Sequence, residues 1–349
     1  MNDMSGAPAS TSSQIPQPDD PQLAPKDWVR VLARYRKPSM KRSLWEIAVT
    51  AVPLVTLFVL AYLALSISVW LTIGLSVIAA GFMVRLFIIQ HDCGHSAMFE
   101  SRTANDWVGR IIGVLTLTPY DIWKRSHAMH HAGSGNLDKR GIGDIYTMTV
   151  KEYLASSGWK QWGYRAYRHP LTLFLLGPIA IFGLFNRFPT GALTGKKFWL
   201  SSMGTNAGLA AFCGVMIWLM GLWQFALIFG LISFVGAAIG MWLFYVQHQF
   251  EDMEWDQPED WDLHDSALYG STFYDLPAPL RWISGNIGIH HVHHLYSRIP
   301  FYRLTEVIKD HPMLGGIQRL TLWQSFKCVN LNLWDETERR MVGFAEVRV

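Results

Sequence analysis

Residues 197–251 read KFWLSSMGTNAGLAAFCGVMIWLMGLWQFALIFGLISFVGAAIGMWLFYVQHQFE, and the fifty-three positions between Lys197 and Glu251 carry no charge. No core helix of a water-soluble fold needs so long an apolar run, whereas two bilayer crossings of about 18 residues or more each do, with a turn near Gly221. The pattern occurs once before. Between Glu46 and Arg85 thirty-eight positions are uncharged, enough for another two crossings with a turn near Ser66 and Ser68. Composition agrees: half of the residues are hydrophobic, only 16% are charged and sixteen are Trp, the profile of an integral membrane protein.

Lys26, Arg30, Arg34, Arg36, Lys37, Lys41 and Arg42 precede the first run, and the positive-inside rule holds this end in the cytoplasm. Both presumed turns are short and lack Lys and Arg. Each run therefore reads as a helical hairpin, about 46–86 and 200–247, that enters from the cytoplasm and returns to it, leaving both termini on that side. Residues 171–185 are apolar too, but the stretch is short and holds Gly177-Pro178; it is expected to be an interfacial or re-entrant helix. Residues 1–25, rich in Pro, Ser, Thr, Gln and Asp, read as a disordered tail before one domain spanning 26–349. The start lacks the basic-then-apolar pattern of a signal peptide. A formal charge of +3 argues against a nucleic-acid partner and for modest attraction to anionic lipid or an acidic protein. Cys93, Cys213 and Cys328 are too few and too scattered for a disulfide framework, which points to a reducing compartment.

Three clusters carry the chemistry: His91-Asp-Cys-Gly-His95, His127-Ala-Met-His130-His131 and His290-His-Val-His293-His294, which place nine of the thirteen histidines in fifteen positions. Spacings of three and four put side chains on one helix face, and neutral imidazole is the commonest side-chain metal ligand. His91 lies about 36 Å along a helix from Ile67, and His248 about 37 Å from Trp223. Both are therefore expected just beyond the cytoplasmic face, where the other clusters also sit. His91, His95, His127, His130, His131, His290, His293 and His294 are too many for one ion of at most about six ligands, or for a closed four-ligand zinc site, so two metals are expected. His248 is either an interfacial polar anchor or a ninth ligand, and the matched heights favour the ligand. His291 sits about 100° around the helix from His290 and reads as a supporting or solvent-facing group. His169, His264 and His311 read as ordinary polar residues. The fold expected is an all-α integral membrane protein, four transmembrane helices in two hairpins plus a cytoplasmic helical cap that carries the histidines.

This order of boxes, HDCGH, then HxxHH, then HxxHH after a long apolar hairpin, resembles the membrane fatty acid desaturases. The text around the third box is similar as well: Gly285-Asn286-Ile287-Gly288 before it and Leu295-Tyr-Ser-Arg-Ile-Pro300 after it. The likeness runs from about Trp45 to about Arg303 and is nearest to the acyl-lipid branch, bacterial delta-5 and delta-12 types included, whose first box has three residues between its histidines. The resemblance implies a non-haem di-iron centre, two Fe held by the eight box histidines, with His248 where relatives place an additional one. It implies dioxygen as co-substrate, insertion of a cis double bond into a fatty acyl chain, and a bacterial inner membrane as the location. Asp92, Asn136, Asp138 and Asp144 are candidates to accept a hydrogen bond from the second ring nitrogen of a ligand.

The chain has no GxGxxG, no CxxC cluster and no fused haem-binding module, so its electrons are expected from an external ferredoxin-like or cytochrome carrier. Lys124, Arg125, Lys139 and Arg140 beside the second box are expected either to dock it or, equally, to contact anionic lipid headgroups. The nearest alternative is a di-iron membrane hydroxylase or ketolase acting on alkane, carotenoid or lipid. A haem protein would need histidines facing one another inside the apolar helices, and a transporter polar groups near the bilayer midplane; the runs hold no histidine before His248.

Overall fold

The computed structural model describes residues 23–141, 143–189 and 193–347. Of the tail expected over residues 1–25, residues 1–22 lie outside the described residues, and Pro25 opens the first helix, α1 (Pro25–Leu32). Next come α2 (Met40–Ala64), α3 (Val69–Gly94), α4 (Arg102–Leu115), α5 (Tyr120–His131), α6 (Val150–Leu154) and α7 (Gly158–Arg168). The long α8 (Lys196–Met220) and α9 (Leu222–His248) lead to the short α10 (Leu263–Tyr269), α11 (Ala278–Ile283), α12 (His290–Leu295) and α13 (Leu304–Asp310).

Helices α2, α3, α8 and α9 have 25 to 27 residues and a mean hydropathy between 1.5 and 2.3, long and apolar enough to cross a membrane. The side chain of Ser39 accepts the Arg42 N–H and caps the start of α2. Gly221, at φ +93°, makes the one-residue turn between α8 and α9, a backbone that a side chain would strain. Helices α2 and α3 run antiparallel. The Thr72 hydroxyl reaches the Ala61 carbonyl near their turn (3.0 Å), and Glu46 pairs with Arg85 at the opposite end. Ala79 and Ala80, fully buried on α3, are small enough for α9 to pack closely beside it. Outward faces are apolar instead of polar: Val52, Val55, Leu63, Leu200 and Val215 are exposed, with Trp70, Trp218 and Trp223 near the turns, as at a lipid boundary.

The chain is mostly helical, but the all-α expectation needs amending. Strands β1 (Met148–Thr149), β4 (Leu333–Asp335) and β5 (Arg340–Val342) form one small sheet in the order β1-β4-β5, and β2 (Phe273–Asp275) pairs in parallel with β3 (Arg319–Thr321). Runs of two or three residues are too short to display the two-residue period by which a strand is recognised. Their role is to tie the C-terminal segment to the stretches before α6 and α11. Residues 172–184 form wide π-helical turns, Thr172–Leu176 and Ile179–Leu184, bent by 60° from α7. Leu173 and Phe174 pack inward, Phe174 onto Trp242 and Tyr245 of α9, while Leu171, Leu175, Leu176 and Ile179 are exposed.

The buried tie of α2 to α3 is ionic. Glu46 and Arg85 are each 1% exposed; Arg42 also reaches Glu46 (2.7 Å), and the Arg85 guanidinium lies 4.0 Å from the Trp282 ring centroid while donating to the Trp282 carbonyl. Removing one partner of a buried pair leaves the other uncompensated, at a cost of about 3–5 kcal/mol. Glu46→Ala is thus expected to lower the unfolding temperature in detergent sharply, and Glu46→Leu/Arg85→Met to regain most of it. A double variant no more stable than the single one would show that the pair acts through something other than uncompensated charge.

Candidate metal centre

Each histidine reaches the centre from a helix end. His91 lies in the last turn of α3, and His95 follows as its C-terminal cap; His127, His130 and His131 close α5; His248 is the last residue of α9; and α12 carries the third box. The approach to α12 explains its flanking sequence. Tyr274 N–H donates to the Gly288 carbonyl (2.7 Å), and a Cβ on Gly288 would lie 2.4 Å from the Tyr274 carbonyl oxygen, so only glycine fits. His290 N–H then bonds the Thr272 carbonyl (3.1 Å).

All nine expected histidines converge, in two groups: His91, His95, His127, His131 and His293; and His130, His248, His290 and His294. In both groups the ligating atoms lie within 4.8 Å of one another. The partition follows helix geometry. The pairs four apart, His91/His95, His127/His131 and His290/His294, share a face and stay together, whereas His130 and His293, three from the box's first histidine, turn to the other group. His248 is the fourth member of the second group. The groups abut, with the His131 and His294 rings stacked at 4.0 Å.

Within the groups, Nε2 atoms stand nearly in contact. His91 to His127 is 3.0 Å, His127 to His131 3.1 Å, His131 to His293 3.2 Å, His130 to His248 3.1 Å and His248 to His290 2.9 Å. A metal–imidazole bond of about 2.1 Å sets two nitrogens bound at right angles about 3.0 Å apart. Moreover, the buried Nε2 atoms of His95 and His294 have no hydrogen-bond partner among the described residues. Orphaned nitrogens at coordination spacing fit metal ions. Burial, reinforced by neighbouring imidazoles, holds His95, His127, His131, His290, His293 and His294 well below the ordinary histidine range, and His130 down to about 3. The rings are therefore neutral, as ligands must be.

Of the four acceptor candidates only Asp92 meets an imidazole among the described residues: its carboxylate lies 3.2 Å from His91 Nδ1 and accepts the Phe301 N–H (2.6 Å). Asn136 instead accepts the Asp138 N–H, and Asp144 the Gly141 N–H. His291 is fully buried, not solvent-facing; its Nε2 meets the Leu314 carbonyl (2.9 Å), outside both groups. His311 is a buried polar residue beside Arg34 and Tyr35, His264 lies near Asp262, and the His169 ring accepts the Leu171 N–H.

Two supports were not foreseen. Trp123 stacks on His127 at 4.7 Å. Arg168, 1% exposed, donates to Gln249 Oε1 (2.7 Å) and the Leu331 carbonyl (2.8 Å), while the Gln249 amide donates to the His248 carbonyl (2.9 Å). Lying four positions before His127, one helical turn away, makes Trp123 findable in retrospect; nothing local in the sequence links Arg168 to His248.

Residues 68–316 match the family profile described as Fatty acid desaturase. The chain belongs to the fatty acid desaturase family. A fatty acid desaturase of Bacillus subtilis (strain 168) is 42% identical over 93% of this chain and 92% of its own length. An sn-1 acyl-lipid omega-3 desaturase (ferredoxin) of Synechocystis is 30% identical over 69% of this chain and 68% of its own, and an sn-1 oleoyl-lipid 12-desaturase of Anabaena variabilis 25% over 82% and 81%. All nine converging histidines fall inside the matched stretch, and membership makes the chain an oxidoreductase by family.

Elemental analysis of the purified protein is expected to find roughly two transition-metal ions per chain. His294→Ala, which removes one of four donors from the second group, should lower the content toward one, whereas His291→Asn should leave it near the wild-type level. Equal losses in the two variants would mean that the grouping does not govern metal binding.

Proposed function

We propose that the protein is a membrane acyl-lipid desaturase that inserts a cis double bond into a fatty acyl chain at a non-haem di-iron centre. The observation that carries this reading is the convergence of nine imidazoles, as five and four, in a member of the desaturase family. Two hydrogens leave adjacent methylenes, and with two further electrons and two protons they reduce one O2 to two waters. Two irons bound here would supply dioxygen activation. The chain's own residues do the rest: His91, His95, His127, His131 and His293 hold one ion, His130, His248, His290 and His294 the other, and Asp92 orients His91. Because a methylene chain offers no polar handle, the position of the double bond must follow from how far an apolar passage admits it.

In this reading α2/α3 and α8/α9 are the two membrane hairpins, and the histidines, both termini and the short helices lie in the cytoplasm of a bacterial inner membrane. Parity of crossings supports it. His131 and His248 serve adjacent groups, so the chain between them must cross an even number of times; α8 and α9 satisfy this, and a fifth crossing through 158–187 would break it. The bent stretch over 172–184 is then an interfacial or re-entrant element, with its exposed leucines in lipid. An external carrier of the ferredoxin or cytochrome type delivers the electrons. Of the basic residues expected to receive it, Arg140 is committed to Glu152 (2.7 Å) and Lys124 to Asp106 (2.7 Å); Arg125 and Lys139 remain exposed.

Expression in a host of defined lipid composition, with mass spectrometry to locate new double bonds, tests the reading. A cis alkene is expected from the wild type and none from His293→Ala, with membrane insertion equal in both. An alcohol or ketone in place of the alkene would favour a hydroxylase or ketolase.

A further inference from the structure

A cavity of about 870 Å³ opens beside the five-histidine group, with Gly94 and His95 in its wall. Arg36, Lys37, Arg102, Lys124, Lys197 and Arg298 also line it, against two carboxylates, Glu100 and Asp106. Six cations against two anions leave a surplus of four, larger than the formal +3 of the whole chain, so this is where positive charge is concentrated. Ion pairs absorb part of it: Lys124 meets Asp106 at 2.7 Å, Lys37 meets Glu100 at 3.8 Å, and Lys197 meets Asp121 at 3.5 Å. Arg36, Arg102 and Arg298 are exposed and have no carboxylate within ion-pair range among the described residues. Guanidinium groups match phosphate oxygens with paired, charge-assisted hydrogen bonds.

The place of the cavity narrows the choice of anion. Arg36 and Lys37 come just before α2, Lys197 lies in the first turn of α8, and Gly94 and His95 end α3. Where these helices leave the bilayer, the surrounding layer is that of the lipid headgroups. A concave space of this volume suits a small ligand group better than the broad face of a protein. We propose that the cavity binds the phosphodiester headgroup of an anionic glycerophospholipid through Arg36, Arg102 and Arg298, and so selects the lipid whose acyl chain is desaturated. This rests on the desaturase reading above, which it deepens by naming the headgroup class.

The test reconstitutes the intact protein, with a carrier and its reductase, in vesicles holding equal amounts of a phosphatidylglycerol and an uncharged diacyl glycolipid with the same acyl chains. Mass spectrometry follows the alkene in each lipid. The wild type is expected to favour the phospholipid by about tenfold or more in kcat/KM. Arg102→Gln/Arg298→Gln should lose that preference through KM, with metal content as in the wild type, and about 0.3 M salt should erode it likewise. Equal use of the two lipids by the wild type would overturn the proposal. So would a variant slowed equally on both lipids together with slower reduction by the carrier, because the cavity would then be the carrier's dock. An acyl-CoA preferred over either lipid, and weakened by the same variant, would also overturn it. Absence of alkene from every acyl substrate would instead sink the desaturase reading, and the proposal with it.

Discussion

Nine imidazoles meet as buried or half-buried rings in two abutting groups, and the rest of the structure answers to that constraint. Side by side at about 3 Å, such rings tolerate neither protonation nor isolation: a charge there would be buried among like charges, and a lone pair without a partner is costly. A bound cation removes both difficulties at once. The fold contributes a further term, because α3, α5 and α9 all end at the centre with their C-termini. The negative ends of three helix dipoles therefore point at the place where positive charge would sit.

Holding those ends together is a task for the long apolar helices, which have little polar chemistry to specify their register. The few polar groups they contain are used for it. Glu46 and Arg85 fix α2 against α3 and reach the α11 segment through Trp282. Asp92 joins α3 to the stretch after the third box through Phe301. Arg168 gathers the end of α7, the end of α9 and the C-terminal segment around Gln249. In each case a buried charge or amide bridges elements distant in sequence, and each bridge lies within a few residues of a histidine or of a helix that carries one.

Much of this was legible beforehand, though unevenly. The four long helices announce themselves by charge-free length, and Gly221 marks one turn because no other residue adopts its backbone freely. The eight box histidines stand out because three- and four-residue spacings on helices leave few other purposes for so many imidazoles, whereas His248, alone in its segment, is suggested only by its height at the end of an apolar run. The two small sheets were not legible, since their strands are shorter than the period that would reveal them. Of the proposed acceptors Asp92 reached a ring while Asn136 and Asp144 turned to their own loop N–H groups, a choice that depends on loop conformation rather than residue type.

The amino-acid order alone determined that long apolar helices alternate with histidine-bearing ends, because hydropathy and helical periodicity are local properties of a chain. Only the tertiary structure decided that His130 and His293 leave their own box partners for the opposite group, that His248 completes a set of four, and that Arg36, Arg102 and Arg298 share one cavity wall. Those outcomes depend on how far each helix is rotated about its axis and how closely its neighbours approach. Rotation and approach are settled by packing between segments remote in sequence, which no local pattern encodes.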